Sequence, residues 1–168
     1  GARIFNAAVK LNIDVKEITQ YFDTISCCLS KGLGAPVGSV LCGPQHLIKK
    51  ARRWRKVLGG GMRQAGILAG AGIYALSNNI QRLEKDHGNA LALARGLAEI
   101  EGINIDVDLV QTNIFFADIK ADMVHLCDYL KKKGIIIDKS NNLRIVTHLD
   151  ISEEDIDYTI KAVKGFFT

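Results

Sequence analysis

A single lysine stands at the centre of the stretch that most constrains this chain, residues 23–42. An apolar run at 23–29, rich in small and β-favouring residues, leads into Ser30-Lys31-Gly32-Leu33-Gly34, and a second apolar run occupies 37–42. The pattern predicts a strand, a glycine-rich loop with one lysine, and a second strand. Glycines in such a loop allow the backbone to approach a bulky ligand that a Cβ would exclude.

Two interpretations of Lys31 follow from this placement. An amine at the end of a buried strand is partly desolvated, which favours the neutral, nucleophilic form that a Schiff base with pyridoxal phosphate requires. A lysine beside glycines is also typical of a solvated loop, and this stretch alone favours the solvated interpretation. The glycine spacing matches neither the P-loop nor the dinucleotide-binding pattern.

Composition limits the class of protein. The chain has 168 residues, 48% hydrophobic and 24% charged, which is typical of one globular domain, or of one small domain with part of another. Its four cysteines (Cys27, Cys28, Cys42 and Cys127) lack metal-ligand spacing, so we expect no metal site and buried, reduced thiols. No stretch is typical of a signal peptide or a membrane span, so we expect a cytoplasmic protein with no membrane partner.

Several helices are predicted in the first half of the chain. Residues 1–10 have helical character, and Asp14 with Glu17 has the spacing of a capping box. Pro44 begins a basic helix to Val57, with an apolar stripe predicted to be buried: Leu47, Ile48, Ala51, Trp54 and Leu58. Residues 64–76 are almost all small or apolar, which predicts a helix that is buried all round or packed against a partner.

The second half reads as a compact α+β lobe. A long amphipathic helix is expected to end at Gly102. Strands are predicted at 103–108, 112–119, 135–138 and 143–148, and helices at 122–133 and from Ser152 nearly to the end of the chain.

Blocks of sequence then stand out by their order and spacing. They are GARIFNA at 1–7, CLSKGLGAPVGS at 28–39, RWRK followed by GGGMRQ within 53–64, and LRIVTHLD at 143–150, with Asp86-His87 in the long helix. Together they resemble the L-threonine aldolases of the low-specificity type, pyridoxal-phosphate enzymes of the aspartate-aminotransferase fold. The resemblance extends over the whole chain and covers only the second half of the family's length.

The resemblance implies an α/β fold in two parts. Residues 1–78 are expected to be the C-terminal part of the large domain of PLP fold type I. Residues 79–168 are expected to be a connecting helix and a small α+β C-terminal domain. The implied cofactor is pyridoxal 5'-phosphate, and the implied assembly is a homo-oligomer, a dimer of dimers.

The resemblance also implies roles for four residues. Lys31 is the lysine that forms the Schiff base with the cofactor, and Arg63 binds the cofactor phosphate. Arg3 and Arg144 hold the α-carboxylate of the substrate, because a guanidinium fork binds a planar carboxylate through two parallel hydrogen bonds. Out of context, Arg3 reads as a surface residue and Arg63 as a helix cap or an ion-pair partner. No residue is selected as the catalytic base.

The implied reaction is cleavage of L-threonine or L-allo-threonine to glycine and acetaldehyde, a step of threonine catabolism and glycine biosynthesis. The family's aspartate, expected immediately before Gly1, and its N-terminal phosphate loop are absent from the sequence. We therefore expect sequence to be missing upstream, and the chain alone to be inactive.

Two other functions remain as alternatives. The first is a non-catalytic assembly fragment in which the small-residue helix, at Gly66 to Ala75, forms a subunit interface. The second is a nucleic-acid surface on basic residues 49–56; it ranks lower, and no nucleic-acid partner is expected, because Trp54 falls on the apolar stripe.

Overall fold

The computed structural model describes residues 1–168, which form two compact units, Gly1–Leu83 and Glu84–Thr168. The elements of the first are α1 (Ile4–Leu11), α2 (Val15–Thr19), β1 (Ile25–Cys28), β2 (Ser39–Cys42), α3 (Gln45–Val57) and α4 (Gly66–Asn78). Helix α5 (Leu83–Ala98) begins at the boundary. The second unit continues with β3 (Ile103–Asn104), β4 (Ile114–Ile119), α6 (Met123–Lys132), β5 (Asn142–Val146) and α7 (Glu153–Phe167).

The core of the first unit lies beneath the turn that follows β1. Strands β1 and β2 form an antiparallel hairpin in which Cys28 pairs with Ser39. The buried cluster consists of Leu29, Leu33, Ala35, Ala75 and Leu83, with Phe5, Val9 and Ile80 packed against it. These residues come from α1, the turn, α4 and the start of α5, so burial of apolar surface attaches the turn to three helices.

Local signals place several helix ends as the sequence predicts. Asp14 and Glu17 form the capping box at the start of α2. Gly59 adopts a left-handed φ of 85° just beyond α3, and Gly102 one of 90° beyond α5. Pro44, predicted to be the first residue of α3, is its N-cap, and the helix begins one position later at Gln45.

The predicted buried stripe of α3 is wrong for this chain, and of the two alternatives for α4 the structure excludes a helix buried all round within this chain, whereas packing against a partner stays a prediction. Helix α3 has no buried residue, and Trp54 is 62% exposed. In α4 only Gly72 and Ala75 are buried, whereas Ile67 is 84% exposed. An apolar helix face is buried only where another element packs on it, and the first unit covers little of either helix.

The second unit is built on a three-stranded antiparallel sheet in the order β3-β4-β5. Strand β4 buries Phe115, Ala117 and Ile119, the alternate residues that a half-buried strand requires. Leu126 and Leu130 of α6 are fully buried in the same core. The predicted strand, helix and strand around β4, α6 and β5 are therefore confirmed.

Two predicted strands are shorter than expected or absent. The strand predicted at 103–108 ends at Asn104, because residues Val107–Leu109 form a 3-10 turn. Residues 135–138 form no regular secondary structure and do not pair with any strand. Apolar alternation therefore identified segments that run along the core, but a strand also needs a neighbour for its backbone hydrogen bonds. No helix of the molecule is long and apolar enough to span a membrane.

The start of α7 provides a pH-dependent contribution to stability. The pKa of Asp155 lies below its ordinary value because the carboxylate accepts hydrogen bonds from the backbone N–H and the hydroxyl of Ser152, at 2.9 and 2.8 Å. A carboxylate whose pKa is lowered by folding stabilises the fold above the unfolded-state pKa. This contribution is lost as the pH falls through the folded-state pKa.

Asp155→Asn is therefore expected to lower the free energy of unfolding at neutral pH. The difference from the unsubstituted chain is expected to become smaller as the pH falls. Urea unfolding of both proteins at several pH values measures the difference. Asp157→Asn, at an exposed position two residues along α7, is the matched control. If the difference in free energy of unfolding caused by Asp155→Asn stays constant down to strongly acidic pH, the lowered pKa of Asp155 is not the source of the stabilisation.

Candidate functional site

Lys31 lies in a hydrogen-bonded turn between β1 and β2. Its carbonyl oxygen accepts a hydrogen bond from the N–H of Gly34 at 2.8 Å. Two backbone hydrogen bonds of Leu29 close the loop. Its N–H donates to the carbonyl oxygen of Gly38 at 2.9 Å, and its carbonyl oxygen accepts from the N–H of Ala35 at 3.1 Å. Gly34 and Gly38 adopt φ values of 74° and 119°, which glycine adopts without the strain of a side chain. The loop therefore has a defined backbone, which presents the lysine at a fixed point.

The glycine after Lys31 is required by packing. A Cβ at Gly32 would lie 2.8 Å from Cδ2 of Leu83 and 3.4 Å from Oδ1 of Asn6, and both of these residues are buried. At the far side of the loop, the Asn79 amide donates to the carbonyl of Leu33 at 2.7 Å. The turn is therefore held against α1, the end of α4 and the start of α5.

The side chain of Lys31 itself is exposed. The residues of this chain do not supply the desolvation that the sequence predicts for a lysine at the end of a buried strand. The reason is that β1 and β2 form an isolated two-stranded ribbon, in which only Cys27 is buried. The amine is accessible to a ligand, and its burial would have to come from groups outside this chain.

Arg3 and Arg63 belong to the same unit as Lys31. Arg3 is the half-buried N-cap of α1, three residues before the Asn6 that lies against Gly32. Arg63 is exposed in the loop between α3 and α4, and Gln64 after it has a left-handed φ of 52°. The structure therefore places the Arg3 segment beside the lysine turn, and it places Arg63 ahead of the first turn of α4.

Arg144 lies in the second unit, on β5. It pairs with Phe116 of β4, and its side chain is exposed. It lines a surface groove of about 350 Å³, whose other lining residues are on β5 and in the segment Ile136–Asp138. The Arg144 guanidinium is therefore accessible to an anionic ligand.

A thiol beside Lys31 was missed in the sequence. The β1–β2 register places Cys28 opposite Ser39, whose hydroxyl lies 3.5 Å from the Cys28 sulfur. The pKa of Cys28 is lowered, first by this hydrogen bond and then by the charge and hydrogen bond of Lys31. The neighbouring Cys27 points to the other face, as strand alternation predicts, and burial raises its pKa. Reading residues 25–42 as a hairpin would have paired Cys28 with Ser39.

The chemistry of these side chains fits an aldehyde that carries a phosphate. Lys31 provides an accessible primary amine on a rigid turn, and Arg63 provides a guanidinium next to a helix start whose N–H groups favour anions. No group of three or more histidine, cysteine, aspartate or glutamate side chains is placed to bind a metal ion.

Comparison with known proteins agrees with this fold and chemistry. The model of the beta-eliminating lyase family matches residues 1–121. The low-specificity L-threonine aldolase of Escherichia coli is 51% identical over 157 residues, which are 93% of this chain and 46% of that protein. The chain thus spans about half the length of the curated relatives it matches.

Solved structures show the same architecture. The threonine aldolase of Leishmania major superposes with a TM-score of 0.75 at 18% identity, over 100% of this chain and 51% of that one. A PLP-dependent aminotransferase from Streptococcus suis superposes with a TM-score of 0.65 at 17% identity, over 93% of this chain and 46% of that one. The predicted fold class, α/β of PLP fold type I, is confirmed, with the chain forming about half of it.

Proposed function

Because this chain belongs to the beta-eliminating lyase family, we propose that it is part of a PLP-dependent lyase that cleaves L-threonine and L-allo-threonine to glycine and acetaldehyde. The observation that carries the proposal is the lysine turn. Lys31 is the accessible amine of a rigid loop, and the glycine after it is packed against Asn6 and Leu83. A fixed amine is what covalent attachment of an aldehyde cofactor requires.

The first unit supplies the groups for pyridoxal 5'-phosphate. Lys31 would bind its aldehyde, and Arg63 its phosphate, with help from the first turn of α4. When bound, the cofactor supplies an electron sink for the pair released as the Cα–Cβ bond breaks. The chain's own contribution is to hold the reacting amine on a turn that the buried cluster below it keeps rigid.

The substrate amino acid would be held by arginines. Arg3 and Arg144 bind its α-carboxylate, because two parallel N–H to oxygen hydrogen bonds fix both the position and the plane of the carboxylate. A fixed carboxylate fixes the rotation about Cα, and so sets which bond of the substrate lies in the orientation for cleavage.

We propose a cytoplasmic homo-oligomer, a dimer of dimers, whose remaining polypeptide completes the lysine site. The exposed apolar residues of α4 support such an assembly, because Ile67, Ile73 and Tyr74 are each about two-thirds exposed or more in this chain. The same exposure supports the second candidate, a non-catalytic assembly unit.

The exposure of Trp54 removes the reason for ranking a nucleic-acid surface lower, but neither family nor fold supports that function.

A chimera tests the proposed reaction. This chain replaces the matching segment of the Escherichia coli relative, of which it covers 46%. We expect the purified chimera to release acetaldehyde from L-threonine, as measured with an alcohol dehydrogenase coupled assay. A Lys31→Ala chimera is expected to release none. A folded chimera that binds pyridoxal phosphate and does not cleave L-threonine would reject the proposal in favour of an assembly unit.

Arg144→Lys in the same chimera tests the carboxylate role. Lysine keeps the charge but cannot form the two parallel hydrogen bonds, and loss of one hydrogen bond to a charged group is expected to raise KM for L-threonine about tenfold. Steady-state kinetics measure KM and kcat separately. Arg52→Lys, at an exposed position of α3, is the control. An unchanged KM would remove Arg144 from the carboxylate site.

A further inference from the structure

On the basis of the carboxylate role proposed for Arg144, we infer that Thr147 is the residue that positions the Arg144 guanidinium. Thr147 directly follows β5 and lies three positions after Arg144. It is 2% exposed, and its hydroxyl, its N–H and its carbonyl oxygen each form a hydrogen bond within the second unit. A residue held at three polar groups fixes the end of the strand that carries Arg144.

The hydroxyl of Thr147 attaches this strand to helix α5. It donates to the carbonyl oxygen of Asp86 at 2.6 Å. Three residues farther along α5, the side-chain amide of Asn89 donates to the carbonyl oxygen of Ile151 at 3.0 Å. Because residues three apart lie on the same face of a helix, one face of α5 holds the segment after β5 at two points.

Asn113 holds the backbone of Thr147 from the side of β4. The N–H of Thr147 donates to the carbonyl oxygen of Asn113 at 3.0 Å, and the Asn113 side-chain amide donates to the carbonyl oxygen of Thr147 at 2.7 Å. Asn113 is fully buried, at 0% exposure. The two residues continue the β4–β5 register by one position beyond the pair Ile114 and Val146. The side-chain bond of Asn113 therefore specifies which residue of the second strand lies opposite it.

The register of β5 decides on which face of the sheet Arg144 lies. Strand β5 is at the edge of the sheet and pairs only with β4. Leu143 is 4% exposed and faces the core, whereas Arg144 is exposed and lies opposite Phe116. A slip of one residue would move Arg144 to the core face. The hydrogen bonds of Thr147 oppose such a slip, because it would leave buried polar groups without partners.

The expected consequence for the enzyme is weaker substrate binding. Two parallel hydrogen bonds to a carboxylate require a guanidinium in a defined place and plane, so they tolerate little movement of the strand that carries Arg144. A satisfied buried network restricts the arrangement of the residues around it. Loss of the Thr147 hydroxyl is therefore expected to act on KM for the substrate more than on kcat.

Thr147→Val in the chimera tests the hydroxyl. Valine keeps the shape of threonine and lacks the donor, so we expect KM for L-threonine to rise about fivefold, with kcat changed less than about twofold. Thr147→Ser keeps the hydroxyl and is expected to keep KM near its original value. Ile156→Val, a truncation of a buried residue of α7 in the same core, is the control for lost stability. No rise in KM for Thr147→Val, or an equal rise for Ile156→Val, would overturn the inference.

Combining Thr147→Val with Arg144→Lys separates positioning from a general structural role. If Thr147 acts through Arg144, Thr147→Val raises KM much less in the Arg144→Lys chimera than in the unsubstituted chimera, because the guanidinium fork is already lost. A residue that only stabilises the second unit would raise KM by the same factor in both. Equal factors would therefore overturn the inference.

Hydrogen exchange in the 168-residue chain examines the strand without any substrate. We expect Thr147→Val to speed amide exchange in peptides that cover β5 and to leave those that cover α6 unchanged. Unchanged exchange at β5 would overturn the inference. Faster exchange at β5, together with an unchanged KM in the Arg144→Lys chimera, would instead reject the carboxylate role of Arg144 and leave the hold of Thr147 on the strand in place.

Circular dichroism shows whether each variant is folded. If Thr147→Val does not fold, Thr147→Cys takes its place, because a thiol is a weaker donor on a side chain of similar size. KM for L-threonine is then expected to be higher for Thr147→Cys than for Thr147→Ser. Equal KM values for these two variants would overturn the inference.

Discussion

Replacing Lys31 by alanine is expected to eliminate the main covalent adduct that pyridoxal phosphate forms with the chain. Addition of the cofactor to the parent chain should produce an imine absorbance band, and borohydride should reduce it to a stable adduct. Peptide mapping should then locate that adduct at Lys31. The expected loss in Lys31→Ala is complete at this position because no other side chain of the turn is a primary amine.

Other lysines provide the control for this experiment. Lys10 is exposed at the end of α1, so Lys10→Ala removes an accessible amine without touching the turn. The Lys10→Ala chain is expected to keep the band and the Lys31 adduct. If the parent chain carries adducts spread evenly over its lysines, or if Lys31→Ala keeps the band, Lys31 is not the cofactor lysine. Measuring both variants in the chimera as well shows whether the remaining polypeptide is needed for binding.

The largest expected effect on stability comes from the core of the second unit. Leu126 of α6 is fully buried, at 0% exposure, within a cluster of aliphatic side chains and Phe115. Leu126→Ala removes buried methyl groups and leaves a cavity, so we expect the free energy of unfolding to fall by about 3 kcal/mol. Urea or thermal unfolding followed by circular dichroism measures the change.

The matched control is Val124→Ala, two residues earlier on the same helix. Val124 is 51% exposed, so its truncation removes little buried surface. We expect its effect on the free energy of unfolding to be within about 0.5 kcal/mol, the usual range for a surface substitution. Equal effects of the two substitutions would show that α6 does not bury Leu126 in solution.

Much of the fold could be predicted because its signals are local. The capping boxes at Asp14 and Ser152, the alternation of β4 and the left-handed Gly102 each depend on a few adjacent residues. The two strands on either side of Lys31 were predicted in the same way, from two apolar runs and the glycines between them, although their pairing was not. Such features depend on backbone geometry and local hydrogen bonds, which a short stretch of sequence specifies.

The candidate site was only partly predictable. The resemblance named Lys31, Arg3, Arg63 and Arg144, and these assignments remain predictions for the experiments above. The accessible position of Lys31 and the thiol beside it were not predicted. Both depend on the hairpin register, which pairs Cys28 with Ser39 and leaves the ribbon without a neighbouring strand. Spacing along the chain does not report which residues of two strands face each other.

By itself, the sequence determined where the helices and most of the strands lie, that a lysine occupies a glycine-rich turn, and which faces are apolar. Only the tertiary structure decided which of those faces are covered. It buries Leu126 and leaves Trp54 of α3 and Ile67 of α4 exposed, although all three lie in helices with apolar surface. The physical reason is that periodicity specifies which side of an element is apolar, whereas burial requires a second element, distant in the chain, to pack against that side.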